Sequence, residues 1–252
     1  MKKKITILTP THNSAKTILA NLRSVKNQKY NNWEHIIIDN KSNDNTLDLI
    51  KANANNKIKV ISEKDKGIYD AINKGIQLAK GEIISILHSD DVYFNKNTLQ
   101  KVIKVFKNQD VGIIYGNLLY VSKEDTNKVI RYWKSSDFNK GIFSKGWSPP
   151  HPTFFVKKKI YNKYGKYKVN IGNPADIELM YRFLELKEIK SKYVNEILIK
   201  MRYGGKSNNS IIQIFIQNLQ ILKILNLKNP FKMLKFIYFK IIERTLQFIK
   251  KK

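Results

Sequence analysis

Short apolar segments typical of β-strands alternate with amphipathic segments typical of helices through residues 5–107. The helical segments carry apolar residues three or four positions apart, whereas the strand segments are short continuous apolar runs. This βαβα alternation predicts an α/β fold with a mostly parallel, twisted sheet and helices on both faces. The predicted strands are 5–8, 35–38, 58–61 and 83–87, and the predicted helices are 14–28, 44–54, 68–80 and 97–107, with Gly81 expected to end the third helix.

The pattern changes after residue 110, where strand-like segments follow one another more closely. Two apolar-rich helical segments begin at residue 211 and are separated by Asn229 and Pro230. The predicted strands of this part are 111–121 and 129–133, which form a hairpin, then 153–156 and 192–202. The predicted helices are 158–164, ending at Gly165, and 176–186, and a flexible turn is expected at 204–207.

The composition restricts the possible chemistry and partners. The chain has no cysteine, which excludes disulfide bonds, thiolate metal sites and a cysteine nucleophile. Its net charge of +27, from 47 Lys and Arg against 20 Asp and Glu, indicates polyanionic partners, although an AT-rich genome would also produce this excess of Lys, Asn and Ile. The charge makes a nucleic-acid-binding protein the alternative class. The lysines are spread evenly, however, and the acids gather at strand ends, so we expect no nucleic acid partner.

The N-terminal sequence MKKKITILTP superficially resembles a signal peptide. Its apolar run is too short, however, and Pro10 and the polar residues after it break the run without a cleavage site. No stretch reaches the roughly 20 apolar residues of a membrane-spanning helix. These features predict a cytoplasmic chain.

Polar residues follow each of the first four predicted strands. Because the carboxyl ends of parallel strands lie at one edge of a sheet, where open α/β proteins bind ligands, these residues predict a single cleft. The fourth strand ends in Asp90 and Asp91. Two adjacent carboxylates suit a hard divalent cation that carries a phosphate-bearing substrate. The alternative is a solvated loop that caps the next helix.

The second and third strand ends carry further acids. Asp39 and Asp65 are suited to accept hydrogen bonds from a base or a ribose. Lys66 is suited to a phosphate, and the helix after Gly67 presents its N-terminus to the same cleft. The chain lacks both GxGxxG and the GxxxxGKS or GxxxxGKT pattern, so a dinucleotide-binding domain and a P-loop nucleotidase are poorly supported.

Seven segments, taken in order, resemble the family 2 glycosyltransferases, which have the GT-A fold. They are TPTHN, IIIDNKSNDNT, EKDKGIYDAINKG, GEIISILHSDD, PPHPTFF, GNPADIELMYRFL and GGKS, and they cover about residues 4–207. The resemblance is to the subgroup that decorates bacterial surface polysaccharides, such as lipopolysaccharide and capsule. It implies transfer of a sugar from a nucleotide diphosphate donor, usually a UDP-sugar, with inversion at the anomeric carbon.

The resemblance also implies a division of the chain. Residues 1–207 would be the catalytic domain, in which 1–110 bind the nucleotide sugar and 111–207 bind the acceptor and carry the catalytic base. Residues 208–252 would be a helical tail.

Carried over to this sequence, the resemblance assigns roles to the strand ends. Pro10, Thr11 and Asp39 would hold the base and ribose, with Asp65 beside them. Asp90 would bind Mn²⁺ or Mg²⁺ with support from Asp91, although His88 stands where the family usually has Asp or Asn. The other residues expected to contact the nucleotide sugar are Thr9, Asn13, Lys66, Gly67, Asp70, Asn73 and Ser89.

Asp176 matches the catalytic base of the family, although Ala175 replaces the commoner acidic neighbour. An inverting transfer is a single in-line displacement, so one carboxylate must remove the proton of the acceptor hydroxyl while the opposite side of the cleft stabilises the leaving diphosphate. The alternative role for Asp176 is to cap the helix that it begins. Glu178 is the second candidate base, but helical spacing places it on a different face.

The acceptor side is expected to include Trp147 and His151, which lie in and beside a loop stiffened by prolines; a structural role is the alternative for each. The QxxRW motif of processive synthases is absent, which favours addition of a single sugar to a polyprenyl-linked or surface-glycan acceptor. A nucleotidyltransferase of related fold is a further alternative, and in it Asp176 would have no evident task.

The second helix of the tail combines apolar residues at helical spacing with many basic ones. This pattern predicts docking on the anionic inner face of the cell membrane. Packing on the domain with a solvated basic face and pairing of subunits are the alternatives, because one helix looks the same in each role. The basic residues are Lys232, Lys235, Lys240, Arg244, Lys250, Lys251 and Lys252.

Overall fold

The structure is a computed structural model that describes residues 3–204 and 211–249. Residues 205–207 of the expected turn and the basic residues 250–252 lie outside the described residues. The strands are β1 (Ile5–Thr11), β2 (Trp33–Asp39), β3 (Ile58–Ser62), β4 (Ile83–Ile86), β5 (Val92–Tyr93), β6 (Ile113–Val121), β7 (Val129–Trp133), β8 (Phe155–Lys157) and β9 (Ser191–Arg202). The helices are α1 (Ile18–Lys26), α2 (Thr46–Ala52), α3 (Ile68–Leu78), α4 (Thr98–Phe106), α5 (Lys158–Tyr164), α6 (Ala175–Tyr181), α7 (Ile211–Ile224) and α8 (Pro230–Ile249).

The described strands form one sheet in the order β3-β2-β1-β4-β8-β6-β9-β5, and β7 pairs with β6. In the first half, β2 and β4 flank β1 and β3 flanks β2, all in parallel. The second half is mixed, because β8 is antiparallel to β4 and β6 whereas β9 is parallel to β6. The predicted α/β fold class is therefore confirmed, and β6 and β7 form the expected antiparallel hairpin.

The core lies on both faces of this sheet. Every residue of β1 is buried, as expected for a parallel strand that is covered by helices on each side. Ile7 belongs to the apolar cluster that includes α1 and α4, whereas Leu8 belongs to the cluster that includes α3, α5 and α6. The two-residue period of the strand thus divides its side chains between two cores.

Several predicted helix ends were wrong by two residues or more, and two of these differences have a clear physical reason. Helix α1 begins at Ile18 rather than residue 14, because the loop before it is held by hydrogen bonds such as that from Ser14 N–H to Thr46 Oγ1 (2.7 Å). Helix α3 ends at Leu78, so Gly81 does not follow it directly. A Cβ at Gly81 would lie 2.6 Å from the backbone nitrogen of Thr6, so this glycine instead permits close approach to β1.

The segment from residue 151 to 186 also differs in detail from the prediction. Residues His151–Thr153 form a 3₁₀ turn, and the strand that follows them is displaced to Phe155–Lys157. The helix predicted at 176–186 starts at Ala175 and changes from α to π geometry over Arg182–Leu186. Helix α5 has the predicted bounds and is followed by Gly165.

Helices α7 and α8 pack on the domain. Ile221 and Leu222 of α7, Leu225 just after it and Phe236 of α8 are buried in the same apolar cluster as α3 and α6. Packing against the domain, one of the alternatives for the tail, is therefore present in the structure. It leaves the outer face of α8 available for another role.

Helix α8 closely approaches the loop before residue 151 at Gly146. The Gly146 φ of +76° is unfavourable for residues with a side chain, and a Cβ there would lie 2.9 Å from the backbone nitrogen of Lys240. The positive φ and the short distance to α8 each require glycine at this position. The contact fixes Lys240 at the wall of the cleft described below.

The outer face of α8 exposes several large apolar side chains. Phe231 is 83% exposed, and the others include Leu234, Tyr238, Ile241 and Phe248. Among the helices that the structure describes, none combines the length and apolarity needed to cross a membrane.

Candidate functional site

The polar residues that follow β1 to β4 meet at one edge of the sheet, as predicted. The parallel register places Thr11 beside Asp39 and Asp39 beside Ser62. Fully buried Asp39 accepts hydrogen bonds from Ser62 Oγ (2.7 Å), from the Ser42 backbone N–H (3.0 Å) and from the Ser42 hydroxyl. The Asp39 carboxylate therefore fixes the loop that begins at residue 40.

The first predicted strand end is held in the same way. Thr9, Pro10 and Thr11 are buried, and the Thr9 hydroxyl donates to the Leu87 carbonyl oxygen (2.7 Å) inside the sheet. Asn13 Oδ1 accepts from the Asn43 backbone N–H (3.0 Å). The structure thus brings the predicted residues of this segment to the edge, but Thr9 lies behind the cleft surface.

Ser89 connects the loop of the fourth strand to that of the first. Its Oγ lies 2.8 Å from Ser14 Oγ, within hydrogen-bonding distance. Three strand-end loops, at residues 12–14, 40–46 and 88–91, are therefore joined by side-chain hydrogen bonds into one rim.

Asp65 lies on this rim with its side chain only 1% exposed, and Lys74 of α3 neutralises it at 2.6 Å. Lys74 also contacts Glu63 at 2.9 Å and Asp70 at 3.4 Å, and the bonds to Asp65 and Glu63 raise the pKa of Lys74. The other carboxylate oxygen of Asp65, Oδ2, is buried and has no hydrogen-bond partner among the described residues. Asp65 Oδ2 is therefore a buried acceptor that no described donor satisfies.

Two other predicted residues, Gly67 and Asp70, form part of the turn that begins α3. Asp70 Oδ2 accepts a hydrogen bond from the backbone N–H of exposed Lys66 (3.0 Å), and Gly67 is the residue just before the helix. The resulting turn leaves the Lys66 side chain in solvent at the mouth of the cleft.

Asn73 does not reach the cleft. Its amide group donates to the Tyr167 carbonyl oxygen (2.8 Å) and accepts from the Tyr167 N–H (3.0 Å). Tyr69, one turn earlier on α3, stacks on the Tyr167 ring at 5.2 Å between centroids. Both side chains therefore join α3 to the second half of the domain, and donor contact by Asn73 has no support in this geometry.

Asp90 and Asp91 occupy a turn that other side chains hold in place. Asn21 Nδ2 donates to the carbonyl oxygens of His88 (2.8 Å) and Asp91 (3.1 Å), and the Arg202 guanidinium donates to the Asp90 carbonyl oxygen. Asp90 is partly exposed, whereas Asp91 is 1% exposed. The turn thus presents one carboxylate to the cleft and buries the other.

Both carboxylate oxygens of Asp91 lack a hydrogen-bond partner among the described residues. Burial and the negative charge of Asp90 raise the pKa of Asp91 well above its usual range, against the opposing effect of Arg202. Within residues 3–204 and 211–249, no group of three or more His, Asp or Glu side chains is arranged to hold a metal ion. A cation here would therefore need further oxygen ligands from a substrate phosphate and water, which suits Mg²⁺ or Mn²⁺.

His88 and His151 lie between this turn and Asp176. Their ring centroids are 5.5 Å apart at an interplanar angle of 70°, and His151 Nδ1 lies 3.2 Å from Asp176 Oδ2. Burial lowers the pKa of each histidine to about 4, so both rings are neutral at neutral pH. The structure thus brings predicted residues His151 and Asp176 together across the cleft from Asp90.

Asp176 sits in a desolvated environment at the start of α6. Burial raises its pKa to about 6, while hydrogen bonding by the Ile177 N–H (2.7 Å), the positive charge of Lys240 and a bond with Tyr69 oppose the shift. Pro174, not Asp176, occupies the cap position of α6, and it forms no side-chain cap. Asp176 is therefore not the N-cap residue, although its Oδ1 accepts a hydrogen bond from the Ile177 N–H within the first turn of α6.

Glu178 is committed to a buried ion pair. Its carboxylate contacts the Arg182 guanidinium at 3.0 and 2.9 Å and Lys168 Nζ at 2.7 Å. Burial alone would raise the pKa of Glu178, but these two cations hold it below its usual value. A carboxylate stabilised in this way is a poor proton acceptor, so the site favours Asp176 over Glu178 as base.

Trp147 is half-buried in an aromatic group under the loop before His151. Its ring packs against Phe143 at 5.5 Å and Tyr115 at 6.0 Å between centroids. This packing fixes the loop that carries His151.

Lys240 of α8 is a member of the site that the sequence did not identify. Its Nζ donates to Asn218 Oδ1 (2.7 Å), and burial and the charge of Arg244 lower its pKa to about 8, against the opposing charge of Asp176. The sequence contains one indication that Lys240 lies on the inward side of α8. Met233, Phe236, Lys240 and Gln247 share the inward face of α8, on which a lysine is unexpected.

These elements define a mixed α/β fold that carries strand-end acids along one edge of its sheet. The chain matches the family model described as glycosyl transferase family 2 over residues 6–168. It therefore belongs to glycosyltransferase family 2 and is a glycosyltransferase.

Curated relatives support this assignment. A PGL/p-HBAD biosynthesis glycosyltransferase of Mycobacterium bovis is 25% identical over 217 residues, which cover 84% of this chain and 82% of the relative. The UDP-Glc:alpha-D-GlcNAc-diphosphoundecaprenol beta-1,3-glucosyltransferase WfgD of Escherichia coli is 36% identical over 98 residues, which cover 38% of this chain and 39% of the relative.

Solved structures establish the similarity of the fold. Residues 1–349 of S. aureus TarS in complex with UDP-GlcNAc match with a TM-score of 0.67 and 18% identity, over 94% of this chain and 71% of that one. The mannosyltransferase PcManGT from Pyrobaculum calidifontis, in complex with GDP-Man and Mn²⁺, matches with a TM-score of 0.63 and 18% identity, over 95% of this chain and 74% of that one.

Proposed function

We propose that this chain transfers a single sugar, with inversion, from a nucleotide diphosphate sugar to a hydroxyl of a lipid-linked or surface-glycan acceptor in bacterial polysaccharide synthesis. UDP is the first donor to test, because the names of WfgD and of the TarS complex specify it. The observation that carries the proposal is the position of Asp176, a largely desolvated carboxylate with a pKa raised to about 6, across the histidine pair from Asp90 and Asp91.

Asp176 is suited to act as the general base. A pKa of about 6 leaves it ionised at neutral pH, yet makes it a stronger base than an ordinary aspartate. The acceptor hydroxyl would give its proton to Asp176 as its oxygen forms the new bond to the anomeric carbon, and the bond to the donor diphosphate would break on the opposite side. His151, 3.2 Å from Asp176 Oδ2, would hold the carboxylate in position.

The donor would lie along the rim formed by the strand ends. Asp65, with one free carboxylate oxygen, is the best-placed acceptor for hydrogen bonds from the nucleoside. Asp90, supported by buried Asp91, would hold the divalent cation, which when bound would neutralise charge on the leaving diphosphate. The unpartnered oxygens of Asp91 support this assignment.

The outer face of α8 supports a peripheral position on the cytoplasmic face of the membrane. It combines exposed apolar side chains with exposed Lys232 and Lys235, the composition of a helix that lies in a membrane interface. Flotation with vesicles containing anionic lipid tests this. Phe231→Ser together with Leu234→Ser should reduce the floated fraction, and an unchanged fraction would refute the docking role.

Calorimetric titration with UDP-, GDP- and dTDP-sugars, each with Mn²⁺ and with a chelator, tests the donor site. We expect one nucleotide class to bind in the presence of Mn²⁺ and Asp90→Ala to abolish the metal-dependent part of the affinity. Asp48→Ala, at an exposed position of α2, is the matched control and should bind like the wild type. Failure of the folded wild type to bind any donor would refute the proposed reaction.

A further inference from the structure

Three basic side chains gather where α8 crosses β7, and we call Arg131, Lys240 and Arg244 the cationic cluster. Arg131 is only 7% exposed, and its Nε is buried without a hydrogen-bond partner among the described residues. Its guanidinium carbon lies 4.0 Å from the Tyr120 ring centroid and 5.4 Å from that of Phe248. Aromatic rings therefore hold the guanidinium in place, and its Nε–H makes no hydrogen bond to the residues that the structure describes.

The cluster contains more positive charge than its surroundings balance. The charged and titratable groups that act on Arg131 are Arg244 and the hydroxyls of Tyr120 and Tyr203, with no carboxylate among them. Burial and the charge of Arg244 lower the pKa of Arg131. Burial and the charge of Arg244 also lower the pKa of Lys240, and Asp176 is the carboxylate that opposes this shift.

Two of the three cations, Arg131 and Lys240, are largely desolvated, and placing desolvated cations beside a further positive charge costs stability unless a ligand supplies negative charge. The planar fork of a guanidinium matches the oxygens of a phosphate, and a nearby ammonium adds a point charge. A phosphate or diphosphate ester would therefore supply the negative charge that the described surroundings of Arg131 lack.

The position of the cluster indicates which phosphate it binds. Helix α8 contacts β7 and the 3₁₀ segment Ile142–Lys145, both in the half of the domain that carries Asp176, and the positive charge of Lys240 is close enough to lower the pKa of Asp176. We infer that Arg131, Lys240 and Arg244 bind the phosphate or diphosphate group of a lipid-linked acceptor whose sugar hydroxyl faces Asp176. This inference rests on the proposed function and adds the recognition site for the acceptor.

The surface next to the cluster suits the remainder of such an acceptor. Phe248 contacts Arg131 yet is 44% exposed, and Ile241, on the same helix, is 60% exposed. A lipid chain leaving the phosphate would lie along this apolar surface. The donor diphosphate is the other possible source of phosphate, because Tyr120, on which Arg131 stacks, is also influenced by Asp91.

Binding of decyl diphosphate to the full chain, with the donor site first saturated with UDP and Mn²⁺, tests the inference. We expect the saturated wild type to bind decyl diphosphate, and Arg244→Gln and Lys240→Gln each to weaken that binding by roughly 10- to 100-fold, the usual effect of removing a charged hydrogen-bond donor. Arg244 is exposed, so its variant is expected to fold normally. Lys51→Gln, the same charge change at an exposed position of α2, should bind like the wild type.

The outcomes separate the sources of phosphate. Decyl diphosphate that binds only without UDP, or variants that lose UDP affinity instead, would assign the cluster to the donor and overturn the inference. Unchanged affinity in both variants, or no binding by the UDP-saturated wild type, would also overturn it. Vesicle binding that falls in the variants while affinity for soluble decyl diphosphate stays constant would assign the cluster to lipid headgroups. A wild type that does not bind UDP in the first titration would refute the choice of UDP as the donor nucleotide.

Discussion

Replacing Asp176 with asparagine is expected to make the protein more stable and far less active. Burial raises the pKa of Asp176 from 3.8 to about 6, so the folded state binds a proton more tightly than the unfolded chain. The ionised carboxylate therefore destabilises the fold, by about 3 kcal/mol at pH 7. Asparagine keeps the shape of the side chain and the oxygen that accepts from the Ile177 N–H, but carries no charge.

The upward direction of the pKa shift sets the pH range in which Asp176 destabilises the fold. Because the folded-state pKa lies above the unfolded one, the cost is fully present above about pH 6 and disappears below the ordinary value of 3.8. In a chain of this size, about 3 kcal/mol corresponds to a rise in melting temperature of roughly 6–10 °C. The side chain of Asp176 is 17% exposed, so this figure is an upper value. At pH 5 the difference should shrink to about half.

Thermal unfolding of wild type and Asp176→Asn at pH 7.5 and pH 5 measures the stability, and a sugar-transfer assay with the identified donor measures kcat. Loss of a general base should lower kcat by about 10²- to 10⁴-fold. Asp48→Asn, at an exposed position of α2, is the control and should change neither quantity appreciably. A less stable variant would refute the argument from burial, and a kcat within about tenfold of wild type would refute the role as base and revive nucleotidyl transfer.

The remaining predictions concern pH, packing and a buried ion pair. For the wild type, kcat/KM should rise about tenfold per pH unit below pH 6 and level off above it, because Asp176 must lose its proton to act; a flat profile from pH 5 to 7 would contradict this. Gly146→Ala should lower the free energy of unfolding in urea by about 1–3 kcal/mol more than Gly141→Ala, because both glycines have positive φ but only Gly146 contacts α8; equal losses would contradict that contact. Glu178→Gln should cost about 3 kcal/mol of stability by leaving Arg182 without its main partner while kcat per folded molecule stays constant, and a fall in kcat would restore Glu178 as a candidate base.

The strand-end residues were predictable from the sequence because their positions depend on a local pattern. An apolar run followed by acids places Asp39, Asp65 and Asp90 at the same edge once the strands are parallel. The α/β alternation made that arrangement the natural one. No tertiary detail was needed to expect the rim, although the partners that hold each residue could not be foreseen.

Residues on helices were harder to place, because helical periodicity gives the faces of a helix but not what each face contacts. Asn73 lies in a segment that resembles a donor-binding motif, yet its amide is engaged by the backbone of Tyr167. Lys240 was counted among the basic residues suited to a membrane surface, and only the docking of α8 shows that it faces Asp176. Lys74 was missed because its three carboxylate partners converge through the turn before α3.

The contact between Gly146 and α8 sets an order of events during synthesis. Chains generally fold from the N-terminus as they emerge from the ribosome. The nine strands that the structure describes and Asp176 precede residue 204, whereas Lys240 is made later and comes close to the loop at Gly146 only when α8 docks. A nascent chain folded as far as β9 would therefore have its carboxylates in place and one wall of the cleft still open to water.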